Sequence, residues 1–136
     1  MAKKIVILNG SPRPSGNTAA LIEAFTKGAE QAGNGVVRFD VCKMNIHPCL
    51  GCCGGGKNSE SPCVQKDDVE QFRGIILDAD MMVFVTPLYY YGMSAQLKTV
   101  IDRFCALNGR IQRKHMKSAL LSVAWNADKR NAGRWP

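Results

Sequence analysis

The sequence holds no apolar run near the roughly 20 residues that a helix needs to cross a bilayer. Its start, Met-Ala-Lys-Lys-Ile-Val-Ile-Leu, carries two lysines but only four consecutive apolar residues. That is too short for the core of a secretory signal and suits a buried strand, so a cytoplasmic location is expected. Histidine is scarce: His47 and His115 are the only two, and neither has a neighbour that marks an acid–base pair, so both read as surface residues. Acidic residues are also few, 11 against 18 basic ones, for a formal charge of +7. Such a surplus either keeps a chain soluble or draws anionic ligands such as phosphates. Two phosphate-binding signatures are missing, the G-x-G-x-x-G fingerprint and the Gly-Lys-Ser/Thr of the Walker loop. With 46% hydrophobic and 21% charged residues, the composition excludes disorder and fits one globular domain over residues 1–136.

Residues 3–8 form a β-branched apolar run that ends at Asn9-Gly10, the pattern of a buried strand. A polar loop follows over 9–17, then a helix over 18–31 with Leu21, Ile22, Phe25 and Ala29 at helical spacing and Gly33 to stop it. A second strand is expected over 36–41. Strand, helix, strand is a βαβ unit, which implies a parallel sheet and a right-handed crossover. Residues 42–66 turn to Cys, Gly, Pro and Ser and read as an irregular excursion. A helix is expected over 67–78, with an acidic first turn, and a strand over 80–85. After a loop over 86–93, Ser94 is placed to cap a helix with Leu97, Ile101, Phe104 and Leu107 on one face. A fourth strand covers 118–124, and 125–136 reads as an irregular basic tail.

The strongest chemistry lies in Gly10-Ser11-Pro12-Arg13-Pro14-Ser15-Gly16-Asn17-Thr18, between a buried strand and a helix. A helix start presents unpaired N–H groups and about half a positive charge, so it binds anions. Ser11, Ser15, Asn17 and Thr18 add short hydrogen-bonding side chains, Arg13 adds a fork suited to phosphate oxygens, and Gly10 and Gly16 let a ligand approach the backbone. The plainer reading is a turn whose Ser and Asn side chains cap the helix. A second loop, Thr86-Pro87-Leu88-Tyr89-Tyr90-Tyr91-Gly92-Met93-Ser94, follows the third strand. Loops at the carboxyl ends of strands converge on one crevice where the winding reverses. There the tyrosines either cover a flat ring or pack a surface turn or subunit contact.

Ile7-Leu8-Asn9-Gly10-Ser11-Pro12-Arg13 with Gly16-Asn17-Thr18 resembles the opening of the NADPH-dependent FMN reductase and iron-sulfur flavoprotein families. Pro87-Leu88-Tyr89 with Gly92, Ser94-Ala95-Gln96-Leu97-Lys98 and Ile101-Asp102-Arg103 resembles a second segment of the same families, in the same order, and the likeness covers residues 3–124. It implies a flavodoxin-like three-layer α/β sandwich with a parallel sheet in the order 2-1-3-4, its usual fifth strand not found. It implies FMN held by its phosphate on Ser11, Arg13, Ser15, Gly16, Asn17 and Thr18, with the ring against Pro87, Leu88, Tyr89, Tyr90, Tyr91 and Gly92. The implied activity is an FMN-dependent oxidoreductase that takes electrons from NADPH or NADH and gives them to a small-molecule acceptor such as a quinone or a flavin. No acid–base residue is required, because the cofactor carries the chemistry. The alternative is a flavin-binding electron-transfer module with little NADPH turnover.

Cys49-Leu50-Gly51-Cys52-Cys53 and Cys63 invite a metal reading, since thiolates two residues apart suit zinc or iron-sulfur ligation. The iron-sulfur flavoproteins carry C-x-x-C-x-x-C and a fourth cysteine here, but position 55 is glycine, and Cys53 would substitute only in a distorted loop. The expectation is a cysteine loop without metal. A cluster on Cys49, Cys52, Cys53 and Cys63, a zinc site using His47, and redox-active thiols are the other readings. Cys42 and Cys105 read as packing residues. The basic residues Arg110, Arg113, Lys114, Lys117, Lys129, Arg130 and Arg134 read as a solvated end; nucleic-acid binding is disfavoured, because no recognition helix or aromatic-interleaved basic strand accompanies them. A fourth strand left as an open edge leads to the expectation of a homo-oligomer.

Overall fold

The computed structural model describes residues 1–55, 58 and 62–124. Four strands, β1 (Lys4–Asn9), β2 (Gly35–Asp40), β3 (Met81–Pro87) and β4 (Lys117–Val123), form one parallel sheet in the order β2-β1-β3-β4. In register, Ile7 lies between Arg38 and Val83, and Val83 pairs onward with Ala119. The doubly wound order expected for a flavodoxin-like sandwich is present. The residues expected as an irregular tail, 125–136, lie outside those described.

β1 is apolar at every position from Ile5 to Leu8 because both of its faces are covered. On one face Ile5 and Ile7, with Val83 and Val85 of β3, pack on Ile22 of α1 (Asn17–Gln31). On the other, Val6, Leu8 and Met82 pack on Phe72 and Ile76 of α2 (Val69–Asp78) and on Leu97 and Val100 of α3 (Ala95–Arg103). Burial of each large side chain of this kind contributes about 1.5–3 kcal/mol. The two-residue alternation along β1 thus fixes which helices lie on which side.

The helix expected to run from Ser94 through Leu107 instead ends at Arg103 and tightens into a 3-10 segment, Phe104–Leu107, as helix ends often do. A short α4 (Asn108–Lys114) follows. Its sequence holds one apolar residue, Ile111, so hydrophobic spacing gives no sign of it. No helix among the described residues is long and apolar enough to cross a membrane.

Candidate flavin-phosphate site

Asn9 closes β1 fully buried, and the Gly10 N–H donates to the Val85 carbonyl at 2.8 Å, which pins the strand end to β3. A Cβ on Gly10 would lie 2.5 Å from Ser94 Oγ and 2.6 Å from Leu97 Cβ. Gly10 therefore gives α3 room to approach the end of the strand. Ser11 is buried; its N–H donates to Asn9 Oδ1 at 3.0 Å, and its Oγ accepts from the Arg13 N–H at 3.3 Å. Beyond Ser11 the chain turns outward, and residues 12–17 are exposed.

α1 then starts without a side-chain cap: Gly16, at φ 132°, is its N-cap residue, and no acidic residue stands in its first turn. The first carbonyl-accepted bond of the turn runs from the Ala20 N–H to the Gly16 carbonyl at 3.0 Å. The N–H groups of Asn17, Thr18 and Ala19 precede that bond and are left for an external acceptor. Unpaired donors, the helix dipole and the exposed Arg13 guanidinium make this corner attractive to a doubly charged anion.

This corner forms one wall of a cavity of about 370 Å³. Ser11, Arg13, Ser15, Gly16, Asn17 and Thr18 make the polar side, and Pro87, Leu88 and Tyr89 from the loop after β3 make the other. Val123 and Ala124, at the end of β4, complete it, and hydrophobic spacing gave no reason to include them. The Leu88 N–H donates to the Val123 carbonyl at 2.8 Å, so the third and fourth strands shape this wall together. The cavity opens at the carboxyl ends of β1, β3 and β4, where the winding changes direction.

The remaining residues of the second loop do not line it. Tyr89 and Gly92 exchange backbone hydrogen bonds of 2.9 and 3.0 Å, with Tyr90 and Tyr91 left-handed between them at φ 44° and 67°. That is the backbone pattern of a tight type I′ turn, normally held by Asn and Gly. Tyr91 and Gly92 line a second cavity of about 620 Å³ that shares Tyr89 with the first, while Tyr90, 97% exposed, lines neither. Ser94 sits beneath this turn, its N–H on Thr86 Oγ1 at 2.9 Å and its Oγ capping α3 through the Leu97 N–H.

The cysteine excursion is tied down by a buried ion pair. Arg103 and Asp67 have side chains 1% exposed and bond directly, and the same guanidinium donates to the His47 carbonyl at 2.9 Å and to Cys63 Sγ at 3.2 Å. Burial pushes the Asp67 carboxyl up. Hydrogen bonds from Arg103 and from the His47 and Val69 N–H groups, with the Arg103 charge, outweigh it and hold the carboxyl below the usual range. All six cysteines are free; Cys49, Cys52 and Cys53 are exposed. Cys105, expected in a helix and in the packing, is exposed on the 3-10 turn Phe104–Leu107 that follows α3.

Among the described residues no three His, Cys, Asp or Glu side chains come together as metal ligands do. Cys53 stands at φ 52°, and a Cβ at Gly55 would lie 2.9 Å from Ala106 Cα. A cysteine at 55 does not fit this packing.

The sequence profile of the NADPH-dependent FMN reductase family matches residues 3–130. An iron-sulfur flavoprotein of Archaeoglobus fulgidus is 34% identical over 100 residues, 74% of this chain and 44% of that protein. One from Methanocaldococcus jannaschii is 28% identical over 131 residues, 96% of this chain and 65% of the other. The chain thus spans about half to two thirds of the length of these curated relatives. Among solved structures, an NAD(P)H:quinone oxidoreductase from Methanothermobacter marburgensis superposes with a TM-score of 0.72 at 21% identity, over 98% of this chain and 69% of the other. An azoreductase from Bacillus anthracis superposes at 0.63 and 21%, over 90% and 69% of the two chains. These two likenesses show the fold.

Proposed function

Because the chain belongs to the NADPH-dependent FMN reductase family, we propose that it binds FMN and works as an NAD(P)H-dependent oxidoreductase. The observation that carries this is the pairing, across one cavity, of an uncapped, acid-free helix start with an apolar wall of Pro87, Leu88 and Tyr89. The donor set suits the group: a phosphate takes the N–H groups of the first turn of α1, the Ser11, Ser15 and Thr18 hydroxyls and the Arg13 fork. The apolar wall suits a flat ring and keeps water from its face. Bound FMN supplies the hydride-accepting and electron-donating chemistry between a nicotinamide and an acceptor. The chain's own residues bind and orient, and no side chain in the cavity has to move a proton.

The acceptor we infer is a small molecule such as a quinone or a flavin, with NADPH as donor in keeping with the family's description. Self-association belongs to the same proposal: β4 is an edge strand among the described residues, and its Leu120 is 49% exposed. Gel filtration at micromolar concentration should give a particle larger than the 14.9 kDa chain, and a clean monomer would count against it.

The test is anaerobic addition of NADPH, and separately NADH, to the FMN-loaded chain. The flavin's visible band should bleach within seconds to minutes and return on addition of a soluble benzoquinone. Bound flavin that neither nucleotide reduces would leave the electron-transfer module as the function.

A further inference from the structure

Ser11 is buried near the start of the phosphate loop, and both of its backbone polar groups are held by side chains. Its N–H goes to Asn9 Oδ1 at 3.0 Å, and its carbonyl accepts from Cys42 Sγ at 2.9 Å. Asn9 in turn is oriented from outside the cavity: its Nδ2 donates to Asp40 Oδ1 at 2.8 Å. Asp40 is fixed by Arg38, whose Nε lies 2.7 Å from the same oxygen, and Lys43 stands 3.7 Å from the other oxygen. Asp40 ends β2 and Cys42 lies two residues on, in the short 3-10 turn Val41–Lys43. Neither lines the cavity.

We propose that Asp40 and Cys42 are positioning residues for the phosphate loop, setting the Ser11 backbone and hence the donors that meet the FMN phosphate; this rests on the FMN reading above. The physical reason is the amide of Asn9. A buried amide can rotate to present either its oxygen or its nitrogen to Ser11, and only the carbonyl oxygen accepts the Ser11 N–H. The carboxylate of Asp40 accepts and cannot donate, so it selects the orientation in which Nδ2 faces β2 and Oδ1 faces the loop. Cys42 fixes the opposite side of the same peptide segment. Ser11 Oγ then accepts from the Arg13 N–H, so an error at Ser11 passes directly to Arg13. A pre-set loop binds phosphate without the ordering cost that a loose one carries.

The experiment compares FMN with riboflavin, which lacks the phosphate, by fluorescence quenching against wild type, Asp40→Ala, Asp40→Asn, Cys42→Ala and Cys42→Ser. Asp40→Ala and Cys42→Ala should each weaken FMN roughly three- to tenfold while riboflavin changes less than about twofold. Cys42→Ser, which keeps a donor, should restore most of the FMN affinity, and Asp40→Asn should fall between wild type and Asp40→Ala. Melting temperatures of the five proteins, taken without ligand, separate positioning from simple loss of fold. Equal losses for FMN and riboflavin, or no loss for either alanine variant, overturn the proposal. If Asp40→Ala does not fold, the Cys42 pair carries the test alone. Wild type that binds no FMN sinks the functional reading itself, whereas wild type that binds with unchanged variants sinks only this inference.

Discussion

A guanidinium and a carboxylate that both stand 1% exposed make Arg103 and Asp67 the residues with most at stake in the fold. Removing one partner leaves a buried charge alone and costs about 3–5 kcal/mol. Asp67→Asn should therefore lower the unfolding free energy at pH 7 by an amount of that order, read as a lowered urea midpoint. The Asp67 carboxyl is depressed in the folded chain, so its contribution is complete above the unfolded carboxylate range, near pH 4, and fades as pH falls through the lower folded value. Wild type should lose stability as pH falls below about 4, and Asp67→Asn should lose less over the same range; parallel curves would assign the loss to other carboxylates. This hub was not legible in the sequence, because its parts, His47, Cys63, Asp67 and Arg103, are spread over 56 positions. The loop from Ser11 to Thr18 was legible for the opposite reason. Its hydroxyls, arginine and glycines are consecutive, and a strand and a helix flank them. The brace behind it was hidden, since Asn9 and Asp40 are 31 residues apart and meet only through the pairing of β1 with β2.

Two elements carry local demands that periodicity does not report. At the crossing of β1 and α3, Gly10 leaves room for Ser94 and Leu97, both fully buried. Gly10→Ala should cost about 1–3 kcal/mol by overpacking, read as a lowered denaturation midpoint. The turn at Tyr90-Tyr91 makes the reverse demand. Each left-handed aromatic residue costs on the order of 1 kcal/mol or more, and both side chains remain largely exposed, so little packing offsets the cost. Replacing the pair with Asn-Gly should raise the melting temperature by several degrees. A fall would mean that the paired rings, 5.7 Å apart edge to face, hold the turn more strongly than its backbone opposes it. The sequence showed three tyrosines before a glycine and gave no sign of a hairpin there, because the residues that normally mark one are absent. The strands and the first two helices were legible to within two residues, since each carries its own apolar pattern.

Over the whole molecule, the +7 charge and the acid-free start of α1 act in the same sense on a phosphate ester. FMN affinity should weaken as salt rises, more than riboflavin affinity does. Ligand that binds only the folded chain stabilises it by about 2.7 kcal/mol at a hundred times its dissociation constant. For a chain of this size that corresponds to a melting shift of roughly 10 °C. That the sheet is parallel was legible because strand and helix patterns alternate, and the order β2-β1-β3-β4 was legible only through the family resemblance that the two loop motifs carry. Val123 and Ala124, which end β4 in the cavity wall, carry no chemical mark of their own, and only the family resemblance points to a loop at that strand end. The most direct measurement is a fluorescence titration of FMN and of riboflavin against wild type and Arg13→Ala. Saturable FMN binding at least about tenfold tighter than riboflavin, with most of that preference lost in Arg13→Ala, is the expected result. Equal affinity for the two flavins, or an Arg13→Ala chain that still prefers FMN as wild type does, would contradict a phosphate site at the start of α1.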